Sequence, residues 1–221
     1  SQETASALVE NGEFDKAISE QGGVYLNAGT GADATQYYFS LPSNKLELWF
    51  SLEPARFFDP VIRDFYKEKD VVMEERRMRT ESNPIGKLVE EFLAVAYKSH
   101  PYKEPVIGHI SDLEGITHDE ALAFFKKYYV PSNMAIAIVG DVDPKETIRL
   151  AEMYFGRIPA GPPPPTVRTV EPEQKSERSV VLREESQRIL LLGYKKGSVN
   201  HPDDAVYEAI SDILSSGRTS R

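Results

Sequence analysis

The 221-residue chain contains no cysteine. Disulfides, thiolate metal sites and a cysteine nucleophile are therefore excluded. Long apolar runs are missing too: none approaches the roughly 20 residues that a helix needs to cross a bilayer. Positive charge is scarce. Against 35 Asp and Glu stand 26 Lys and Arg, for a net charge of −9. A nucleic-acid partner would want a basic stripe, so the balance argues against one. The histidines are His100, His109, His118 and His201, and no two lie four apart. A pair of imidazoles one helical turn apart, the usual core of a helical zinc motif, is thus absent. By spacing, the histidines read as polar loop and cap residues. No signal peptide is visible and no Met opens the chain. Polar Ser1-Gln2-Glu3-Thr4 begins it, and Arg221 ends it within what looks like a new element. The expectation is a longer natural polypeptide.

What is present is ordinary for a globular protein: 40% hydrophobic and 28% charged residues, in a length that suits one or two domains. Residues 12–21 read as a short helix stopped by Gly22-Gly23. Two strands, 24–28 and 35–41, flank a turn-rich link and form a candidate hairpin. A helix is expected from about Asn44 to Arg56. Asp59-Pro60 combines a capping Asp with Pro at a first helical position, so a second helix is expected from there to about Glu81. Asn83-Pro84 breaks it, and another helix runs to about Tyr97. Residues 100–115 read as a loop. Thr117-His118-Asp119-Glu120 is a capping box that opens a helix to Tyr129. The apolar run Met134 to Gly140 reads as a buried strand. Asp143-Pro144 opens a helix to about Phe155. The run Pro159-Ala160-Gly161-Pro162-Pro163-Pro164-Pro165 cannot join a helix or central strand and reads as a linker. Beyond it, 179–183 and 188–193 read as strands and 202–214 as a helix.

Chemistry is suggested by Glu68 and Glu75. They are seven residues apart, almost two helical turns, so both point to nearly the same side. Val61, Phe65 and Val72 fall within roughly 60° of that line. Two acids among apolar neighbours would need a cation, a donor or a proton, and a metal ion is one such cation. Arg79 lies near the same line, so an ion pair with Glu75 in a surface network is the alternative reading.

Several segments together resemble one family. Gly22-Gly23 followed by Asn27-Ala28-Gly29-Thr30, Val71-Val72-Met73-Glu74-Glu75 followed by Arg79, His100-Pro101-Tyr102 with Pro105-Val106-Ile107-Gly108, Tyr128-Tyr129-Val130-Pro131-Ser132-Asn133 leading to Val139-Gly140-Asp141, and Ser216-Gly217-Arg218 occur in the family's order. From Gly22 to Arg221 the chain resembles the pitrilysin/insulinase zinc metallopeptidases, which include the mitochondrial processing peptidases. The resemblance implies an α+β fold, a two-layer sandwich with helices on one face of a mixed, mostly antiparallel sheet. It implies an incomplete first peptidase domain over 1–157, a Pro-rich linker over 158–176, and the start of a second, homologous domain over 177–221.

The resemblance also implies a site. Family members hold zinc with two His of an H-x-x-E-H motif, whose Glu is the general base, and with a downstream Glu as third ligand. That third ligand falls on Glu75, and a supporting acid falls on Glu68. Asn27, Ala28, Gly29 and Thr30 match the edge strand that pairs with an extended substrate peptide. H-x-x-E-H itself is absent, so it is expected ahead of Ser1. The implied function is a zinc-dependent endopeptidase acting on peptides or unfolded polypeptides, with this stretch inactive alone. The alternative is a non-catalytic peptide-binding or assembly subunit beside an active homologue. Implied partners are a peptide substrate and either the rest of the same polypeptide or a homologous subunit. The compartment is not readable from the residues; related bacterial enzymes are often exported, so the resemblance implies a periplasmic or exported setting.

Overall fold

A computed structural model describes residues 12–58, 60 and 62–215. The chain divides into two compact units at the junction of Glu173 and Gln174.

The first unit opens with α1 (Glu13–Glu20). Strands β1 (Val24–Thr30) and β2 (Thr35–Ser40) then form an antiparallel hairpin. Its register pairs Asn27 with Tyr38, Ala28 with Tyr37 and Thr30 with Thr35. A bulge between Val24 and Asn27 breaks the ladder, and Tyr25 there takes a left-handed φ of 58°. Bulges of this kind re-aim the strand that follows them.

Side chains that alternate along β2 settle which face of the hairpin is packed. Phe39 meets Phe14 of α1 edge-on, with ring centroids 6.0 Å apart. Tyr37 lies under the Arg56 guanidinium at 4.6 Å and shares a 2.7 Å hydroxyl–hydroxyl hydrogen bond with Tyr129. Arg56 belongs to α2 (Leu46–Phe58). This helix packs on α7 (Pro144–Phe155) through Trp49, Phe50, Tyr154 and Phe155. Ile18, Phe50 and Leu150 are the buried apolar centre among the described residues.

Next comes α3 (Phe65–Arg76), which continues as a π turn over Arg77–Glu81. It begins later than Asp59-Pro60 suggested. Asp59 lies outside the described residues, and the capping position is taken by Asp64, at a left-handed φ of 52°. Asn83 caps α4 (Pro84–Ala96), its side-chain oxygen accepting from the Ile85 and Gly86 amides. Residues 100–115 are not plain loop. They hold a 3-10 turn (Pro101–Lys103) and a short helix, α5 (Ile110–Gly115). The capping box forms as its residues require: Thr117 accepts from the Glu120 amide, Glu120 accepts from the Thr117 amide, and α6 (His118–Tyr128) follows. The second unit contains α8 (Asp204–Ser215).

The class is α+β, as expected, but the sheet among the described residues has two strands. The apolar run after Met134 forms no ladder, and neither do 179–183 and 188–193. Val139 is 94% exposed and Leu190 81%. These segments have strand composition, but a strand also needs a neighbouring backbone to pair with. That partner is a long-range property that composition does not encode. Among the described residues, no helix is long and apolar enough to cross a membrane.

Candidate functional site

Helix α3 carries Glu68 and Glu75 on one flank, as the seven-residue spacing predicts. The flank is wetter than expected: Glu68 is exposed and the Glu75 side chain is 37% exposed. Glu75 pairs with Arg79 one turn on, at 3.0 Å. The ion pair read from the sequence is therefore formed, and it holds one carboxylate oxygen, Oε1.

Inward, the same helix is fixed by Arg76, which is only 6% exposed. Its guanidinium makes a bidentate pair with Glu90 of α4, with both N···O distances 3.0 Å. A third N–H bond, 2.7 Å long, goes to the carbonyl of Gly108. The hydrogen bonds that Arg76 donates to Glu90 are the main reason that the Arg76 pKa is pushed up further. Lys69, one turn from the start of α3, donates to the Glu114 and Ile116 carbonyls at the end of α5. Thus α3 is tied to α4, to the 100–108 loop and to α5.

Asn27, Ala28, Gly29 and Thr30 are all exposed on β1. Asn27 accepts the amide N–H of Ala28 at 2.8 Å. At the hairpin tip, Asp33 accepts the Tyr102 hydroxyl, 2.7 Å from each carboxylate oxygen. That bond pushes the Tyr102 pKa up. A cleft of about 320 Å³ opens there, between Thr30, Asp33, His100, Tyr102, Val106 and Val167.

The start of the same loop is anchored from elsewhere. Glu171 accepts the backbone N–H groups of Lys98, Ser99 and His100 at 2.9, 2.8 and 3.0 Å. The histidines behave as their spacing suggested. His100 accepts the Tyr102 amide, His109 meets Glu104 at 3.1 Å, and His118 lies 3.3 Å from Asp119. Among the described residues, no group of three or more His, Asp or Glu could hold a metal. One carboxylate with a guanidinium on one oxygen is not a zinc site, since catalytic zinc normally takes three protein ligands. No such set of three is brought together among the described residues.

A family described as Peptidase M16 inactive domain matches residues 115–221. The zinc protease PqqE of Helicobacter pylori is 33% identical over 215 residues, covering 95% of this chain and 48% of that protein. The crystal structure of a protease from Helicobacter pylori superposes with a TM-score of 0.88 at 32% identity, covering 96% of this chain and 53% of that one.

The chain belongs to the M16, or pitrilysin, peptidase family.

An M16 inactive domain from Pseudomonas fluorescens has the same fold, with a TM-score of 0.75 at 20% identity over 96% of this chain and 52% of that one. This M16 chain spans about half the length of the relatives it matches. The matches bear out the peptidase family read from the motifs. The hydrogen bonds of the structure identify what spacing alone missed. Arg76 falls four residues after Val72, on the inward stripe of α3, where a lone guanidinium demands a buried acceptor. That signal was in the sequence, but Glu90 and the Gly108 carbonyl as its acceptors were not. Asp33 with Tyr102, and Glu171 with three amides, join residues about 70 apart and had no local signal.

Proposed function

We propose that this chain is part of a zinc-dependent endopeptidase that cleaves peptides or unfolded polypeptides. In this reading Glu75 is one carboxylate ligand, Glu68 is an acid supporting it from two turns away, and the other ligands come from outside residues 1–221. Asn27 to Thr30 form the edge to which an extended peptide adds by main-chain hydrogen bonds. The domain organisation that accompanies this reading is a first peptidase domain over 1–157, a linker over 158–176 and a second domain from 177.

The observation that carries the proposal is the π turn immediately beyond Glu75. Such turns interrupt the favoured i to i−4 ladder and are frequent at functional sites. Here the turn lies between a buried Arg76 and the capped start of α4, which anchor the end of the helix that bears both acids. A second reading, a non-catalytic peptide-binding subunit, is favoured by the match to a domain described as inactive.

Zinc content and peptide turnover of the full-length protein and its Glu75→Gln variant separate the two. An endopeptidase loses most of its zinc and more than about tenfold in turnover, since metal sites are sensitive to loss of a ligand charge. Unchanged zinc in the variant removes Glu75 from the coordination shell. A wild-type protein that binds extended peptide without zinc or cleavage supports the non-catalytic subunit instead.

A further inference from the structure

The segment from His100 to Gly108 touches both halves of the candidate site. At one end, Tyr102 donates to Asp33 at the tip of the hairpin whose first strand holds Asn27 to Thr30. At the other end, the Gly108 carbonyl accepts from Arg76, the neighbour of Glu75. Gly108 sits at a φ of +82°, which glycine adopts without steric cost. That conformation is where the chain turns to present its carbonyl to Arg76. The segment is also tied down before it starts, by the Glu171 carboxylate on three successive amides. Within it, His100 accepts the Tyr102 amide and the two rings meet edge-on at 4.3 Å. The tyrosine is therefore aimed before it reaches Asp33.

We propose that residues 100–108 are a two-ended link that sets the peptide-pairing strand against the helix bearing Glu75, with Tyr102 and Arg76 as its positioning residues. Neither residue needs to touch a substrate. Their task is to keep the distance between strand and helix constant while an extended peptide is pulled onto β1. A peptide added one residue out of step presents the wrong bond, because strand pairing advances in whole residues. A loose strand therefore costs accuracy as well as affinity.

This inference rests on the peptidase reading, and its test separates the two. In the full-length protein, Tyr102→Phe removes one hydroxyl and Arg76→Lys removes the fork that reaches Gly108 and Glu90 together. Each variant is expected to raise KM about fivefold, the scale of one lost hydrogen bond, with kcat less affected and zinc content unchanged in Tyr102→Phe. Mass spectrometry of the products is expected to show secondary cleavage one residue from the main site.

The double variant decides the point. Breaking a link at either end breaks it, so Tyr102→Phe with Arg76→Lys should be no worse than the poorer single variant. Multiplying effects, or a KM and cleavage position unmoved by either change, would overturn the link while leaving the peptidase standing. If the wild-type protein cleaves nothing, the peptidase reading fails, and amide exchange still tests the link. Exchange of residues 27–30 should speed up in Tyr102→Phe, and unchanged protection there would overturn it. Should Arg76→Lys not fold, Glu90→Gln weakens the same fork, and its effect on KM is subject to the same non-additivity.

Discussion

Glu53 is buried on α2 beside Phe50 and Pro54, with one oxygen 3.0 Å from Arg56. Burial pushes its carboxyl pKa above the ordinary value of 4.5, and the Arg56 charge and hydrogen bond pull it part of the way back. A raised folded-state pKa means that folding favours the protonated acid. Its contribution is complete below the unfolded value and is lost as pH rises through the folded one. Glu53→Gln keeps an oxygen for Arg56 but cannot ionise. Chemical denaturation from pH 4 to pH 8 should therefore show the wild type losing ground to the variant as pH rises. Parallel curves would show that Arg56 fully offsets the burial. The stakes extend past Glu53, because Arg56 also lies over Tyr37, the register partner of Ala28 on the candidate peptide edge. Burial and the bond to Tyr129 push the Tyr37 hydroxyl pKa up, so it stays protonated and bonded through the neutral range. At this scale the sequence was informative wherever chemistry is local. The flank shared by Glu68 and Glu75 follows from helix geometry, and so does the Glu75–Arg79 pair. Burial was misjudged at the two acids because periodicity says which residues share a side, not what covers that side.

The join between α3 and α4 is the element whose geometry matters most to the site. Two helices meet there through a π turn, and they approach closely because position 86 has no side chain. A Cβ on Gly86 would overlap the carbonyl oxygen of Arg79 and crowd Thr80. Helix propensity favours Ala over Gly by about 1 kcal/mol at an interior position. Here the obstruction is backbone, which cannot rotate away, and overpacking of this kind costs about 1–3 kcal/mol. Gly86→Ala should therefore destabilise the protein, against the propensity rule, and should push α4 away from the turn that follows Glu75. A variant more stable than wild type in urea would show that the π turn relaxes to an α turn without penalty. Helices were legible because their signals are short-range: Asn83 and Pro84, the box from Thr117 to Glu120, Asp143 and Pro144. The π turn was not legible. Arg77-Met78-Arg79-Thr80-Glu81 is ordinary helix sequence, and the irregularity arises from what Arg76 and Gly86 pack against. Strands fared unevenly for the same reason. The hairpin pairs neighbours in sequence and was seen; the run after Met134 depends on a partner that its own residues do not name.

Across the whole chain, the Pro-rich stretch was expected to be a linker, and its composition does forbid helix and central strand. Composition says nothing of whether such a segment is bound along its length. The Ser132 amide donates to the Ala160 carbonyl at 3.1 Å, and Ser132 Oγ reaches the Pro162 carbonyl at 3.4 Å. Val167 lines the cleft beside Tyr102, and Glu171 closes on the amides of residues 98–100. Four attachments spread over a dozen residues hold this stretch to the first unit, and the division between units comes only after Glu173. Proteolysis needs several residues to leave their contacts and enter the protease cleft, so it reports local opening. Arg157, Arg168 and Lys175 are all exposed, but only Lys175 lies past the last attachment. Limited trypsin digestion should therefore cut first after Lys175, and Glu171→Gln, which removes the charge and one of the two oxygens that grip three amides, should bring the cut after Arg168 forward. A first cut after Arg157 or Arg168 in the wild-type protein would show that the polyproline segment is a free tether, and that Glu171 holds nothing in place.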